Sequence, residues 1–196
     1  MIVPVEFESL NFNYVNEMQR SKLIITYIGR DDDIKGLEGF ISELNSISRS
    51  LSFSITLNLV GSFLESNVER YKNLSKSFDL KYLGPIFGSK KYDLLSRSSC
   101  LVVPSKYESF CISALESLSV GRPVLMSDKV GISRDLDKSD YCFVYELNSS
   151  SSLKENIIML FERQFDETSF KQLEDDLDQF SSSSIQIKLN ELLNEF

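Results

Sequence analysis

The stretch Cys100-Leu-Val-Val-Pro-Ser-Lys-Tyr-Glu-Ser-Phe-Cys-Ile-Ser-Ala-Leu-Glu-Ser117 decides the fold. Its first four residues are apolar without a polar break, the pattern of a strand covered on both faces. Past the turn, Ser109, Ser113, Glu116 and Ser117 fall at i, i+4, i+7 and i+8, while Cys111, Ala114, Leu115 and Leu118 form an adjacent apolar stripe. That spacing predicts a helix with Glu116 turned away from the core. Two carboxylates result, Glu108 in the turn and Glu116 on the helix, and they either face water or hold a ligand.

The same unit recurs on both sides. Strand-like runs occur at Lys22–Ile28, Phe53–Val60, Lys81–Leu83, Pro123–Met126 and Tyr141–Tyr145. Between them apolar residues keep helix spacing: Leu37, Phe40, Ile41, Leu44 and Ile47, then Val68, Tyr71, Leu74 and Phe78, then Tyr92, Leu94 and Leu95. The rhythm is βαβα, and continuous apolar strands suit a parallel sheet with helices on both faces. The expected fold is therefore α/β, a single Rossmann-like domain of about six parallel strands. Its ligand crevice lies beyond the carboxyl ends of the strands, which points to the loops after residues 28, 60, 83, 103 and 126.

The ends read differently. Residues 1–21 keep neither period and look like a lead-in or interdomain connection, while residues 22–180 form the domain. Its tail is helical, with stripes at Leu153, Ile157, Leu160 and Phe161 and at Phe170, Leu173, Leu177 and Phe180. Ser181 to Ser184 separates a final helix over 181–196.

Composition removes several classes of chemistry. At 196 residues and 42% apolar content the chain can bury one sizeable core. It has no histidine, so neither a Ser-His nor a Cys-His relay can be built within it. Three cysteines, Cys100, Cys111 and Cys142, fit neither a disulfide framework nor a CxxC motif, and a reducing cytoplasm is the simplest setting. No run approaches the roughly 18 apolar residues of a membrane span, and the start lacks a signal-peptide pattern. The net charge of -8 is concentrated after residue 145, where 11 acids meet 4 bases. That is a poor match to nucleic acid, which requires a clustered basic surface.

The loops carry the candidate chemistry. Gly29-Arg-Asp-Asp-Asp-Ile-Lys-Gly36 sets Arg30 and Lys35 around a strand-to-helix turn, where a diphosphate would be well received. The competing reading is that Asp31 to Asp33 cap the helix and the two cations balance them. A carboxylate-held metal at these aspartates is a minor branch, because adjacent side chains in a turn diverge. Gly61 and Gly84 to Gly88 are strand exits that any α/β fold needs. At the opening stretch, Glu108 lies on the crevice side with the free amides of residues 109–111, and an ionised carboxylate can accept two hydroxyls at once.

In order, Tyr27-Ile-Gly-Arg30 with Lys35-Gly36, Leu59-Val-Gly61, Tyr82-Leu-Gly84, Val103-Pro-Ser105, Glu108 to Glu116, Gly121-Arg-Pro-Val124 and Ser127-Asp128 resemble the nucleotide-sugar-binding C-terminal domain of the retaining GT-B-fold glycosyltransferases, the glycosyl transferases group 1 family. The resemblance covers residues 22–160 and implies half of a GT-B fold. It implies that Arg30 and Lys35 neutralise the donor's diphosphate without a bound metal, and that Glu108 contacts the donor sugar. It further implies that Glu116 holds the ribose, that the amides near Phe110, Cys111 and Ile112 meet the phosphates, that Gly29 and Ser109 belong to the same substrate-binding set, and that Leu83, Gly84 and Ile86 meet the base.

The implied activity is transfer from a UDP- or GDP-sugar to a glycan or lipid-linked acceptor in cell-surface polysaccharide synthesis. It needs no cofactor. The acceptor would be held by an N-terminal domain missing from this chain, so the isolated domain is expected to bind donor and transfer nothing, and that missing domain could seat the enzyme on the inner membrane. The sequence departs from the family at Ser109, Cys111 and Phe63, where glycines are common. Two alternatives therefore stay open: a non-catalytic interaction module of the same ancestry, and another nucleotide-sugar enzyme.

Overall fold

A computed structural model describes residues 21–136 and 139–180; the expected lead-in and the final helix over 181–196 lie outside the described residues. Six strands form one wholly parallel sheet: β1 (Lys22–Ile28), β2 (Ser54–Val60), β3 (Asp79–Gly84), β4 (Cys100–Val103), β5 (Val124–Ser127) and β6 (Cys142–Tyr145). Their spatial order is β3-β2-β1-β4-β5-β6, the doubly wound arrangement. The central strands are almost continuously buried, which is why they read as unbroken apolar runs. β3 is longer than its three-residue sequence signal, since it is an edge strand whose residues are mostly exposed and need not be apolar.

Among the described residues six α-helices cover the sheet: α1 (Leu37–Ser48), α2 (Glu65–Leu74), α3 (Ser89–Ser96), α4 (Ile112–Leu118), α5 (Ser150–Glu162) and α6 (Glu167–Asp178). α1 packs against α2 and α5, whereas α4 packs against α3 and α6. The predicted stripes are the faces that pack: Leu37, Phe40, Ile41, Leu44 and Ile47 of α1 are all buried, as are Leu153, Ile157 and Leu160 of α5. Phe53 and Phe161 stack with ring centroids 3.6 Å apart. α6 opens on a capping box in which Asp166 accepts from the Ser169 amide and the Ser169 hydroxyl accepts from the Asp166 amide.

The strand exits are fitted to one another. Gly29 donates its amide to Val60 and Gly61 donates to Gly84, at 3.0 and 3.1 Å. Gly61 has φ 143°, and a Cβ there would lie 1.9 Å from the Gly29 carbonyl oxygen. Only glycine allows these two turns to touch.

Candidate functional site

β1 and β4 are neighbours at the centre of the sheet, and the chain leaves them toward opposite edges. Such a switch point opens a crevice beyond the carboxyl ends. Here it is a cleft of about 430 Å³ whose walls include Tyr27, Lys35, Glu108, Phe110, Cys111 and Ile112. Five of these six were singled out from the sequence.

The turn after β1 shows how the cation reaches the cleft. Asp32 caps a short 3-10 turn, accepting from the Ile34 amide at 3.0 Å. Asp31 faces elsewhere and accepts from Asn67 Nδ2 at 2.6 Å and Tyr71 Oη at 2.9 Å, tying the turn to α2. Asp33 pairs with Lys106 at 2.8 Å. The three carboxylates thus diverge to separate partners, and among the described residues no group of three or more acidic or cysteine side chains gathers as a metal-binding cluster.

Gly36 closes the turn at φ 66°, and a Cβ on it would lie 2.0 Å from the Pro104 carbonyl oxygen. That approach lets the turn lie against residues 104–108, where Lys106 donates its amide to Ile34 at 2.8 Å. Lys35 is thereby carried to Glu108, and the two form an ion pair with side chains 26% and 19% exposed. Arg30 stands apart: its side chain is 81% exposed and pairs with Asp32 at 3.5 Å.

Glu108 is held by its backbone on both sides. Its amide donates to Lys129 at 3.3 Å and its carbonyl accepts from Gly131 at 2.7 Å, forming a single parallel bridge with Val130. The segment 129–131 thus fixes the backbone from which the Glu108 carboxylate projects. The amides of residues 109–113 find no acceptor among the described residues.

Cys111 precedes α4 with φ 60° and ψ 78°, a left-handed conformation that a non-glycine residue adopts at a cost of roughly 1–2 kcal/mol. The reason that glycine is common here in the family is therefore visible in the backbone. The Cys111 thiol is buried, and burial raises its pKa, so it remains neutral. Its Sγ lies 3.3 Å from Ser113 Oγ.

Glu116 is not on a freely solvated stripe. It pairs with Lys91 of α3, and the two side chains are only 20% and 13% exposed for Lys91 and Glu116. Ser117, read with it as part of a polar stripe, is fully buried and donates to the Arg122 carbonyl at 3.2 Å. A serine can face a core when a local carbonyl receives its hydroxyl. Lys91 was missed by the sequence reading, because nothing local distinguishes it from Lys90. Of the proposed base-contacting residues, Leu83 is exposed, Ile86 is half-buried and Gly84 takes φ 71° at the end of β3.

Comparisons with known proteins bear on the family and the fold. Residues 13–177 match the family model Glycosyl transferases group 1. An uncharacterized glycosyltransferase of Methanocaldococcus jannaschii is 26% identical over 125 residues, 64% of this chain and 32% of that protein. The chain thus spans about a third of the length of this curated relative. Among solved structures, the lipopolysaccharide outer core galactosyltransferase WaaB, apo form, superposes with a TM-score of 0.80 at 15% identity, over 98% of this chain and 54% of that one. A mutant of S. aureus TarM in complex with Fondaparinux, alpha-GlcNAc-glycerol and UDP gives 0.71 at 19% identity, over 97% and 38%. These structural likenesses concern the fold, which is one half of the GT-B architecture. The family match covers most of the sequence, and the chain belongs to the glycosyl transferases group 1 family.

Proposed function

We propose that residues 22–180 are the donor-binding domain of a retaining glycosyltransferase. The observation that carries this reading is the meeting of Lys35 and Glu108 inside the cleft at the β1/β4 switch point, beside the open amides of residues 109–113. A nucleotide diphosphate sugar fits that combination. Its diphosphate meets an ammonium and backbone N–H groups, and its sugar hydroxyls meet a carboxylate that can only accept. When the bond from the anomeric carbon to the diphosphate oxygen breaks, negative charge grows on the leaving diphosphate. Lys35, joined by Arg30 swinging in from its exposed position, stabilises that charge.

Glu108 orients the donor sugar, Glu116 holds the ribose, Gly29 gives the sugar and phosphates close backbone approach, and Leu83, Gly84 and Ile86 border the base. UDP- and GDP-sugars are the donors of choice; the UDP held in the TarM structure supports a nucleoside diphosphate of this class. The acceptor is a glycan or a lipid-linked glycan held by an N-terminal domain outside this chain, in cell-surface polysaccharide synthesis. WaaB, a lipopolysaccharide galactosyltransferase, supports that placement. Three cysteines without a disulfide-framework or CxxC spacing suit a reducing cytoplasm, and among the described residues no helix is long and apolar enough to cross a membrane. Contact with the inner membrane would therefore run through the acceptor domain.

A second reading, a non-catalytic interaction module, is favoured by the cysteine side chain at a cleft position with left-handed backbone. Calorimetry with UDP-, GDP- and ADP-sugars separates the two. Binding that weakens in Glu116→Ala supports the donor site, whereas heat-silent mixing with all three donors supports the module.

A further inference from the structure

Both glutamates of the Glu108 to Glu116 motif are engaged by a lysine, and each lysine comes from a different crossover. Lys35 follows β1 and pairs with Glu108; Lys91 lies in α3, after β3, and pairs with Glu116 across 25 residues. The second pair is well shielded. Yet it leaves polar capacity unused, since only Oε1 of Glu116 accepts from Lys91, Oε2 takes no hydrogen bond among the described residues, and an ammonium carries three donors. A shielded ion pair adds little net stability over an apolar pair of similar size, although removing one partner alone leaves the other charge buried and unpaired.

We propose that Lys91 is a positioning and specificity-determining residue for the donor. It fixes the Glu116 carboxylate and, with it, forms a two-sided receptor for a vicinal diol. This rests on the reading that Glu116 meets the donor's ribose. The complementarity is chemical: each hydroxyl of a cis-diol both donates and accepts, and Lys91–Glu116 presents an N–H donor beside an unoccupied carboxylate oxygen. A carboxylate alone could take the two protons but would leave the hydroxyl oxygens unmet and its own rotamer unfixed. Lys90, the next residue in sequence, is exposed and has no such partner among the described residues. A deoxynucleotide loses one half of the match, so the receptor selects ribonucleotide donors.

The test is calorimetric titration of the chain with UDP and GDP and with their 2′-deoxy and 3′-deoxy counterparts. The unaltered chain is expected to prefer the ribonucleotide by about tenfold or more, the equivalent of one lost hydrogen bond to a charged group. Lys91→Met should lower that preference markedly, with the drop in thermal midpoint expected of an unpaired Glu116, and Lys91→Arg should keep most of the preference. Should Lys91→Met fail to fold, Lys91→Gln against Lys91→Arg makes the same comparison. Full ribonucleotide preference in Lys91→Met alongside its loss in Glu116→Gln overturns the role of Lys91 and leaves that of Glu116 standing. No nucleotide binding by the unaltered chain, or no preference in it, overturns the ribose reading and the inference with it.

Discussion

Lys35 donates to Glu108 while Lys106 donates to Asp33, so two ion pairs of opposite polarity, each spanning 73 residues, join the turn after β1 to the turn after β4. The crossing is possible because Gly36 lets one turn lie on the carbonyl of Pro104. The inner pair is in the cleft and partly shielded; the outer pair is more exposed and therefore contributes little. This cross-link places a cation and a carboxylate at one point of the switch crevice.

Lys35→Ala removes the cation from the cleft. A charge-assisted hydrogen bond contributes about 1.5–3 kcal/mol, so nucleoside diphosphate binding should weaken by about 10- to 100-fold. Calorimetry reads this directly. Unchanged affinity would show that Lys35 serves only Glu108.

Gly36→Ala and Gly39→Ala should move stability in opposite directions. At Gly36 the left-handed φ and the contact with Pro104 both penalise a side chain, and a loss of more than about 2 kcal/mol is expected. At Gly39, inside α1, a Cβ meets nothing within 4 Å, and a gain of about 0.5–1 kcal/mol is expected from helix propensity. Urea denaturation of the two variants decides it.

Cys111→Gly relieves the left-handed strain and opens the approach to the amides before α4. Stability should stay within about 1 kcal/mol, because the lost burial of a small thiol offsets the relief. Nucleoside diphosphate affinity should rise. Cys111→Val, a β-branched residue at positive φ, should instead lower stability; denaturation and calorimetry on both variants test the pair.

The pH limits follow from two sets of groups. The Asp128 and Asp166 carboxyls lie below their ordinary 3.8. For Asp128 burial acts upward but is outweighed by the Lys129 ammonium and the Leu147 amide; for Asp166 the amide and hydroxyl of Ser169 dominate. Lowered carboxyls contribute stability above their ordinary value and lose it as pH falls below, so Asp128→Asn should flatten the acid limb of the stability curve. Burial lifts the Tyr71 and Tyr141 hydroxyls to about 12. Their contribution is complete below pH 10.0 and is lost as pH rises toward 12, which tyrosinate absorbance against denaturation will show.

Much of this was readable in the residues themselves. The run Cys100 to Val103 is an unbroken buried strand because both faces of the central sheet are covered, and it appears with the predicted bounds. β3 was only half visible, since an edge strand with exposed side chains carries a diluted signal. Glu108, Cys111 and Lys35 were legible because loops after parallel strands converge on one crevice. Arg30, chosen by the same logic, lies outside the cleft wall, since its neighbour Asp32 takes its charge in the exposed turn.

The sequence by itself determined the order of elements, the crevice loops and the family, because apolar periodicity and loop residues are local properties. Only the tertiary structure decided which charge meets which. The pairing of Lys91 with Glu116, the departure of Asp31 toward Tyr71, and the seat of Glu108 against Val130 join residues 22 to 40 positions apart in the chain. Partners at such distances are fixed by strand order and by the fit of glycine turns against one another, and neither is written in any single segment.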